Sequence, residues 1–342
     1  MTELSHLLLV SKSVEQEQKL FDWTLDFAKQ YQAKVTVLQV LPKIDHGLFY
    51  WFAEVVADTV PNVTPDEVME KQRQEVLTKF ATWQAQAKQK GVVLEVQIEF
   101  GKQFYRAIQY VLNHSVDWLI KQTDKKQTDN ISYGLTKHIF DSHDLHLLRK
   151  CPCPVLLHKH GTHLPFKKVM ACLDVNLDDG FDDAEGNNVR QADEFNQRIL
   201  MAAIKMLNSD DPSLEVLHAW QAEAENLVRH WNTDFSERDM FQFIEMIRHQ
   251  HLSAIEVEID ALNVANIDNI NIEPILPKGK AEEVIAPIVE QHKVDLLVMG
   301  TLGRYGLPGM IIGNTSESIL EQVNCSVLAL KPNHFVSPVK TE

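Results

Sequence analysis

The residues best able to do chemistry are three spaced glycines and an aspartate. Gly300 and Gly303 leave the apolar run Leu296–Met299 in a G-x2-G-x9-G pattern that ends at Gly313, followed by Asn314 and Thr315. Ser316-Glu317-Ser318-Ile319-Leu320-Glu321-Gln322 then reads as a helix. Glycine lets the backbone take φ > 0 or come close to a ligand where a Cβ would block it. A helix start adds unpaired N–H groups and a partial positive charge, both suited to an oxyanion. Asn314 and Thr315 supply donors or cap the helix. The chemistry implied is the holding of a phosphate. Asp174, at the end of the apolar run Lys168–Leu173, is placed to accept hydrogen bonds from ribose hydroxyls across a crevice. Neither G-x-x-x-x-G-K-[ST] nor G-x-G-x-x-G occurs, so the loop is not a P-loop or a dinucleotide fingerprint.

Other residue groups carry less. No nucleophile–base pair, metal triad or acid–base dyad has motif support, so no catalytic residue is assigned and a dedicated turnover reaction is not expected. His138, His143 and His146, with His158, His160 and His163, lack a third ligand of defined position for zinc and are read as structural or solvated, with no metal site assigned. Cys151-Pro152-Cys153 lacks the two-residue spacing of redox or zinc pairs, and both thiols are read as small apolar residues entering a strand. The net charge of -15 works against nucleic-acid binding. No stretch approaches the roughly 20 apolar residues of a membrane helix, and no secretory leader is visible, so a cytoplasmic protein without membrane contact is expected.

The elements that must position the glycines are written twice. Gly101-Lys102 precedes Val116-Asp117-Trp118-Leu119-Ile120 by the interval that separates Gly279-Lys280 from Val294-Asp295-Leu296-Leu297-Val298. Each half opens with a short apolar strand (His6–Val10, Lys168–Leu173) and an amphipathic helix (Leu20, Trp23, Phe27, Tyr31; Phe195, Ile199, Ala202, Met206). Strands Lys34–Leu38 and Leu214–His218 follow. Helices over about 65–90 and 236–252 then lead to strands Val92–Val96 and Ser253–Glu258, and Cys153–Leu156 and Cys325–Leu328 close the halves. Such alternation predicts two tandem doubly wound α/β domains, each with a five-stranded parallel sheet. Their bounds are 1–158 and 166–332, with a polar linker over 158–166 and a tail over 333–342. In the first copy the counterparts of Gly300, Gly303 and Gly313 are Gln122, Lys125 and Asp141, so an acidic group stands where a phosphate would sit.

The loop pattern followed by small polar residues resembles the nucleotide-binding loop of universal stress proteins, and the two-domain order resembles their tandem-domain E-type members (UspE-like). Gly300–Gly306, Gly313–Glu317 and, closing the first half, Leu147–Pro152 carry the likeness, which runs from about His6 to Pro332. The resemblance implies an adenine nucleotide alpha hydrolase-like fold and a cytoplasmic stress-response protein that binds ATP or AMP, with Mg²⁺ as a companion ion. It implies that Asp174 contacts the nucleotide, that Gly300, Gly303, Gly313, Asn314 and Thr315 hold phosphates, and that Ala219 lies beside the adenine. It further implies a pseudo-dimer of the two domains, packed through their last strands, and a homodimer as a further assembly. Two departures stand out. Asn314 replaces the usual Ser or Thr, and the acidic run Asp178–Glu185 would repel a triphosphate unless it swings away or binds a divalent cation. Two other functions remain open. One is a carrier or sensor of a non-nucleotide, lipid-linked ligand, drawn from the aromatic run Phe49–Phe52 with Val55 and Val56. The other is a slow ATP hydrolase.

Overall fold

Short apolar runs become buried strands, and each half builds the same layer. In the computed structural model the described residues are 4–47, 49, 64–123, 140–175, 177, 180–182, 188–190, 192–207, 212–222, 225, 236–263, 270–302 and 312–341. Two compact units form. The first comprises Met1–Asp124, Asp141–His158 and Val336–Glu342, and the second is built on Lys159–Phe335.

In the first unit, β1 (His6–Ser11), β2 (Lys34–Leu41), β3 (Leu94–Phe100), β4 (Trp118–Gln122) and β5 (Val155–His158) lie in the order β3-β2-β1-β4-β5, all parallel. Helices α1 (Gln18–Tyr31), α2 (Pro65–Lys79), α3 (Ala81–Lys90), α4 (Gln103–His114) and α5 (Ser142–Lys150) connect them. The expected helix over 65–90 is therefore two helices, meeting at the fully buried Phe80. Phe49 is half-buried, whereas Tyr50, Trp51, Phe52, Val55 and Val56 lie outside the described residues, as does Lys125.

The second unit repeats the plan. Its strands β6 (Val169–Cys172), β9 (Ser213–Leu217), β10 (Asn271–Ile275), β11 (Leu296–Gly300) and β12 (Ser326–Leu330) lie in the order β10-β9-β6-β11-β12, again parallel. Every residue of β6 and β12 is buried, which is why these strands read as unbroken apolar runs rather than alternations. A small antiparallel hairpin, β7 (Gly180–Asp182) and β8 (Asn188–Arg190), stands between β6 and α6 (Glu194–Lys205). Then come α7 (Glu237–Asn263), α8 (Ala281–Gln291) and α9 (Asn314–Gln322).

One sequence expectation is overturned. Ser253–Glu258 is helical, inside the 27-residue α7, and the edge strand is β10 instead. The apparent alternation of Ile255, Val257 and Ile259 misleads, because Ala254, Ile255, Glu258 and Leu262 are the buried positions, at helical spacing. Pro274 disguises β10, and proline is tolerated there because β10 has a neighbour on one side within its unit.

The repeat holds at the level of atoms. Asp117 Oδ2 accepts from Ser5 N (2.7 Å) and His6 N (2.8 Å), and Asp295 Oδ2 accepts from Lys167 N (3.0 Å) and Lys168 N (3.1 Å). Each aspartate thus pins the start of the opening strand beside its own. Gly101 and Gly279 share φ values of +133° and +148°, and a Cβ at Gly279 would lie 2.5 Å from Val284 Cγ1. The residues after Phe335 belong to the first unit, where Ser337 Oγ donates to Lys150 O (2.7 Å) and Gln109 Nε2 to Lys340 O (3.3 Å).

Candidate functional site

In the second unit the chain steps from β6 outward through β9 to β10, then returns to β11 on the other side of β6. Ligands of such sheets bind beyond the strand carboxyl ends at this reversal. A cavity of about 850 Å³ opens there. Asp174, Ala219, Gly300, Gly313, Asn314 and Thr315 all line it, and Gly303 lies outside the described residues.

The wall formed by β11 and α9 is built from bare backbone. Gly313 is the N-cap of α9, with no side-chain cap, and its own N–H donates to Thr301 O (2.9 Å). The N–H of Glu317 reaches Gly313 O at 2.9 Å, the first bond of the helix. The amides of Asn314, Thr315 and Ser316 come before it and have no acceptor within the helix. Ser316 Oγ donates to Gly300 O (3.3 Å) and also faces the cavity.

The glycines serve for a reason other than a positive φ, which neither Gly300 nor Gly313 adopts. Gly313 sits at φ −77°, ψ 144°, and a Cβ there would meet nothing nearer than 3.8 Å, so what matters is that no side chain reaches the amides. A Cβ on Gly300 would lie 2.7 Å from Phe195 Cε1, so this glycine lets an aromatic ring pack close against the strand end.

The first unit shows what fills the same place when a side chain is present. Asp141, at the N-cap of α5, accepts from Asp144 N (2.7 Å), and the Asp144 carboxylate accepts in turn from Asp141 N (3.2 Å). Asp144 also pairs with Lys121 Nζ at 2.6 Å, both side chains being buried. Burial pushes the Asp144 carboxyl up against the opposing pull of Lys121, and burial does the same to Glu17, which accepts from Lys12 N. This helix start carries its own carboxylate.

Across the second unit's cavity, the end of β9 was expected from the sequence through Ala219, whereas the share of the wall taken by α7 was not. His218 Nδ1 lies 3.2 Å from Leu173 O, and His218 Nε2 lies 2.9 Å from His251 Nδ1. The His251 ring is 5.6 Å from that of Trp220, whose Nε1 donates to Leu276 O (3.1 Å). Farther along α7 the buried Glu258 accepts from Asp193 N (3.0 Å), Asn196 Nδ2 (3.1 Å) and Gln197 Nε2 (2.8 Å), and Asn196 Nδ2 also donates to Asp174 O (2.9 Å). The segment bearing Asp174 is thereby tied to α7. Ile247, His251, Ala254 and Glu258 recur at helical spacing, a signal hidden by placing a strand at 253–258. Cys172, also in the cavity, is pushed up to about 12 by burial and stays a neutral thiol.

Two further side-chain clusters lie in the first unit. His143 and His146 flank the Phe104 ring at 5.8 and 4.3 Å, and burial lowers the His146 pKa. His138 lies outside the described residues. Cys151 and Cys153 are buried with their sulfurs 3.5 Å apart, just before β5. Among the described residues no helix is long and apolar enough to cross a membrane.

Comparison with known proteins joins the geometry to a lineage. The sequence profile of the universal stress protein family matches residues 5–159 and again 192–331. The chain belongs to this family. As a universal stress protein it is 25% identical over 286 residues to Universal stress protein E of Escherichia coli K12, covering 82% of each chain. It is 25% identical over 307 residues to the Universal stress protein E homolog of Haemophilus influenzae, covering 88% of each. In fold it is similar to a functionally unknown protein of Pseudomonas aeruginosa PAO1 (TM-score 0.59, 21% identity, 97% of this chain and 94% of that one). It is also similar to a universal stress protein of Archaeoglobus fulgidus (TM-score 0.56, 16% identity, 97% and 99%). The second family match begins after β6, so Asp174 and the β7–β8 hairpin stand outside it.

Proposed function

We propose that the second unit binds an adenine nucleotide, AMP or ATP, and that the protein acts as a nucleotide-responsive module in the stress response rather than as a dedicated enzyme. The observation that carries this reading is the uncapped start of α9, opening with Gly313 into a cavity large enough for a mononucleotide. Donors without side chains in front of them suit a phosphate, and the helix end adds favourable charge. The contrast with Asp141 supports the assignment to this unit, since the first unit already places a carboxylate on the corresponding amides. Asp174, held through Asn196, offers acceptors to ribose hydroxyls, and Ala219 also lines the cavity. Mg²⁺ would accompany a triphosphate more readily than a monophosphate.

Thermal denaturation with AMP and with ATP, with and without Mg²⁺, tests the reading. A ligand at 100 times its Kd stabilises by about 2.7 kcal/mol, and for a unit of this size about 2–4 °C accompanies each kcal/mol. A rise of several degrees in the second unit's transition is expected. No shift with either nucleotide in either condition would remove the proposal. Steady release of phosphate from ATP would favour a slow hydrolase instead.

A further inference from the structure

The cavity wall opposite α9 carries two rings that fix each other's protons. A carbonyl oxygen only accepts, so His218 Nδ1, 3.2 Å from Leu173 O, carries a hydrogen. In the neutral pair His218 Nε2 is then an acceptor, His251 Nδ1 donates to it at 2.9 Å, and His251 Nε2 carries no hydrogen. One added proton can reside on His251, or on His218 with His251 Nδ1 turned acceptor. In either form His251 Nε2 bears a hydrogen. A second added proton would set N–H against N–H between the rings. The pair therefore keeps its bond in two states only, neutral and singly charged, and it titrates as a unit.

The setting makes that charge count. Both rings are buried, at 4% and 8% exposure, so a cation here feels other charges in the cavity more strongly than it would in water. β9 and β11 flank β6 on opposite sides, which separates the two walls by about two strand spacings, roughly 10 Å. A ligand with its phosphate at α9 would reach the histidines and Trp220 with its nucleoside end.

We propose that His218 and His251 set the specificity of this cavity, holding one exchangeable proton so that a mononucleotide anion binds together with it and is favoured over the uncharged nucleoside. The inference rests on the nucleotide reading above. Among the described residues, the titratable groups that line the cavity with the pair are Cys172 and Asp174 at the end of β6 and Glu282 at the start of α8, and the buried Glu258 lies two turns along α7 from His251. Lys278 is paired with Glu225 at 2.5 Å and Lys280 with Glu283 at 3.5 Å on the segment leading to α8, and Arg248 and His249 share α7 with His251. Cys172 stays neutral through the range that matters, so it leaves the linkage unchanged. Asp174 and Glu282 favour the charged pair. A bound phosphate adds to that preference, and proton uptake on binding follows by linkage.

Calorimetric titration of the full chain with AMP and with adenosine, at pH 7 in buffers of different ionisation heat, counts the protons taken up. The unsubstituted protein is expected to take up more protons per AMP than the double variant His218→Asn/His251→Asn. Its AMP affinity should rise more steeply as pH falls, by up to tenfold per pH unit. The phosphate ionisation of AMP is common to both proteins and cancels in the difference. Histidine NMR of the unsubstituted protein provides a readout that survives a failure of the variant to fold, with the shared midpoint of the two rings moving upward when AMP is added. Equal uptake in the two proteins or an unmoved midpoint would each overturn this inference alone, whereas adenosine binding as tightly as AMP would overturn it together with the phosphate site at α9. Absence of AMP binding to the unsubstituted protein would overturn the nucleotide reading and this inference with it.

Discussion

Gly313 and Gly300 look alike in the sequence and do different things. Gly313 occupies a backbone conformation open to any residue, so Gly313→Asp should fold, cap α9 as Asp141 caps α5, and stabilise by about 0.5–1 kcal/mol. Its carboxylate would take the amides that the proposed reading gives to a phosphate, and nucleotide binding should fall below detection in calorimetry. Gly313→Ala, which adds a methyl in ordinary contact, should keep binding within a few-fold. Gly300→Ala pushes a methyl into the Phe195 ring and should cost about 1–3 kcal/mol, largely recovered in Gly300→Ala/Phe195→Leu when both are followed by denaturant unfolding. The spacing of these glycines was legible because a missing side chain is written directly in the sequence. Which atom each absence makes room for was not, since Phe195 reaches Gly300 only through the fold. The His218–His251 contact was hidden for the same reason, joining a strand end to the middle of a helix.

At the scale of elements, α7 is where sequence patterning failed. Two periods were available in Ser253–Glu258, and reading it as a strand gave Glu258 no role. The helix buries it among three donors at the start of α6. Glu258→Ala should therefore cost about 2–4 kcal/mol in urea unfolding, because Asp193 N–H and two side-chain amides lose their charged acceptor. It should also weaken nucleotide binding, as Asn196 then holds the backbone of Asp174 less firmly. A loss of binding with unchanged stability would show that α7 does not anchor this segment. The repeat itself was legible, because Asp117 and Asp295 perform one backbone task at one interval. β10 was not, with its proline and only two isoleucines.

At the scale of the molecule, two units of one design should answer differently to ligand and to acid. Hydrogen exchange with saturating AMP should slow amides in 169–175 and 312–320 and leave those of β1 to β4 unchanged. Protection centred on the first unit would misplace the site. Acid should act on the first unit through His6. Burial lowers its pKa from the ordinary 6.5, while Nδ1 donates to His114 O and Nε2 accepts from Thr36 Oγ1. The unfolded chain then binds more protons, so this contribution is present above about pH 6.5 and is lost as pH falls below it. His6→Asn should flatten that slope in exchange rates of β1 amides measured between pH 5 and 7.5. The return of Val336–Glu342 to the first unit carries a mechanical corollary. Chain on both sides of the second unit, from Leu4 to Thr123 and from Val336 to Thr341, belongs to the first unit, so the second is spliced into it like an insert. Tension applied between Leu4 and Thr341 would load the first unit and bypass the second until Val336–Thr341 peels from Gln109 and Lys150. In an optical trap the rip of the second unit should therefore come after that release, never before it.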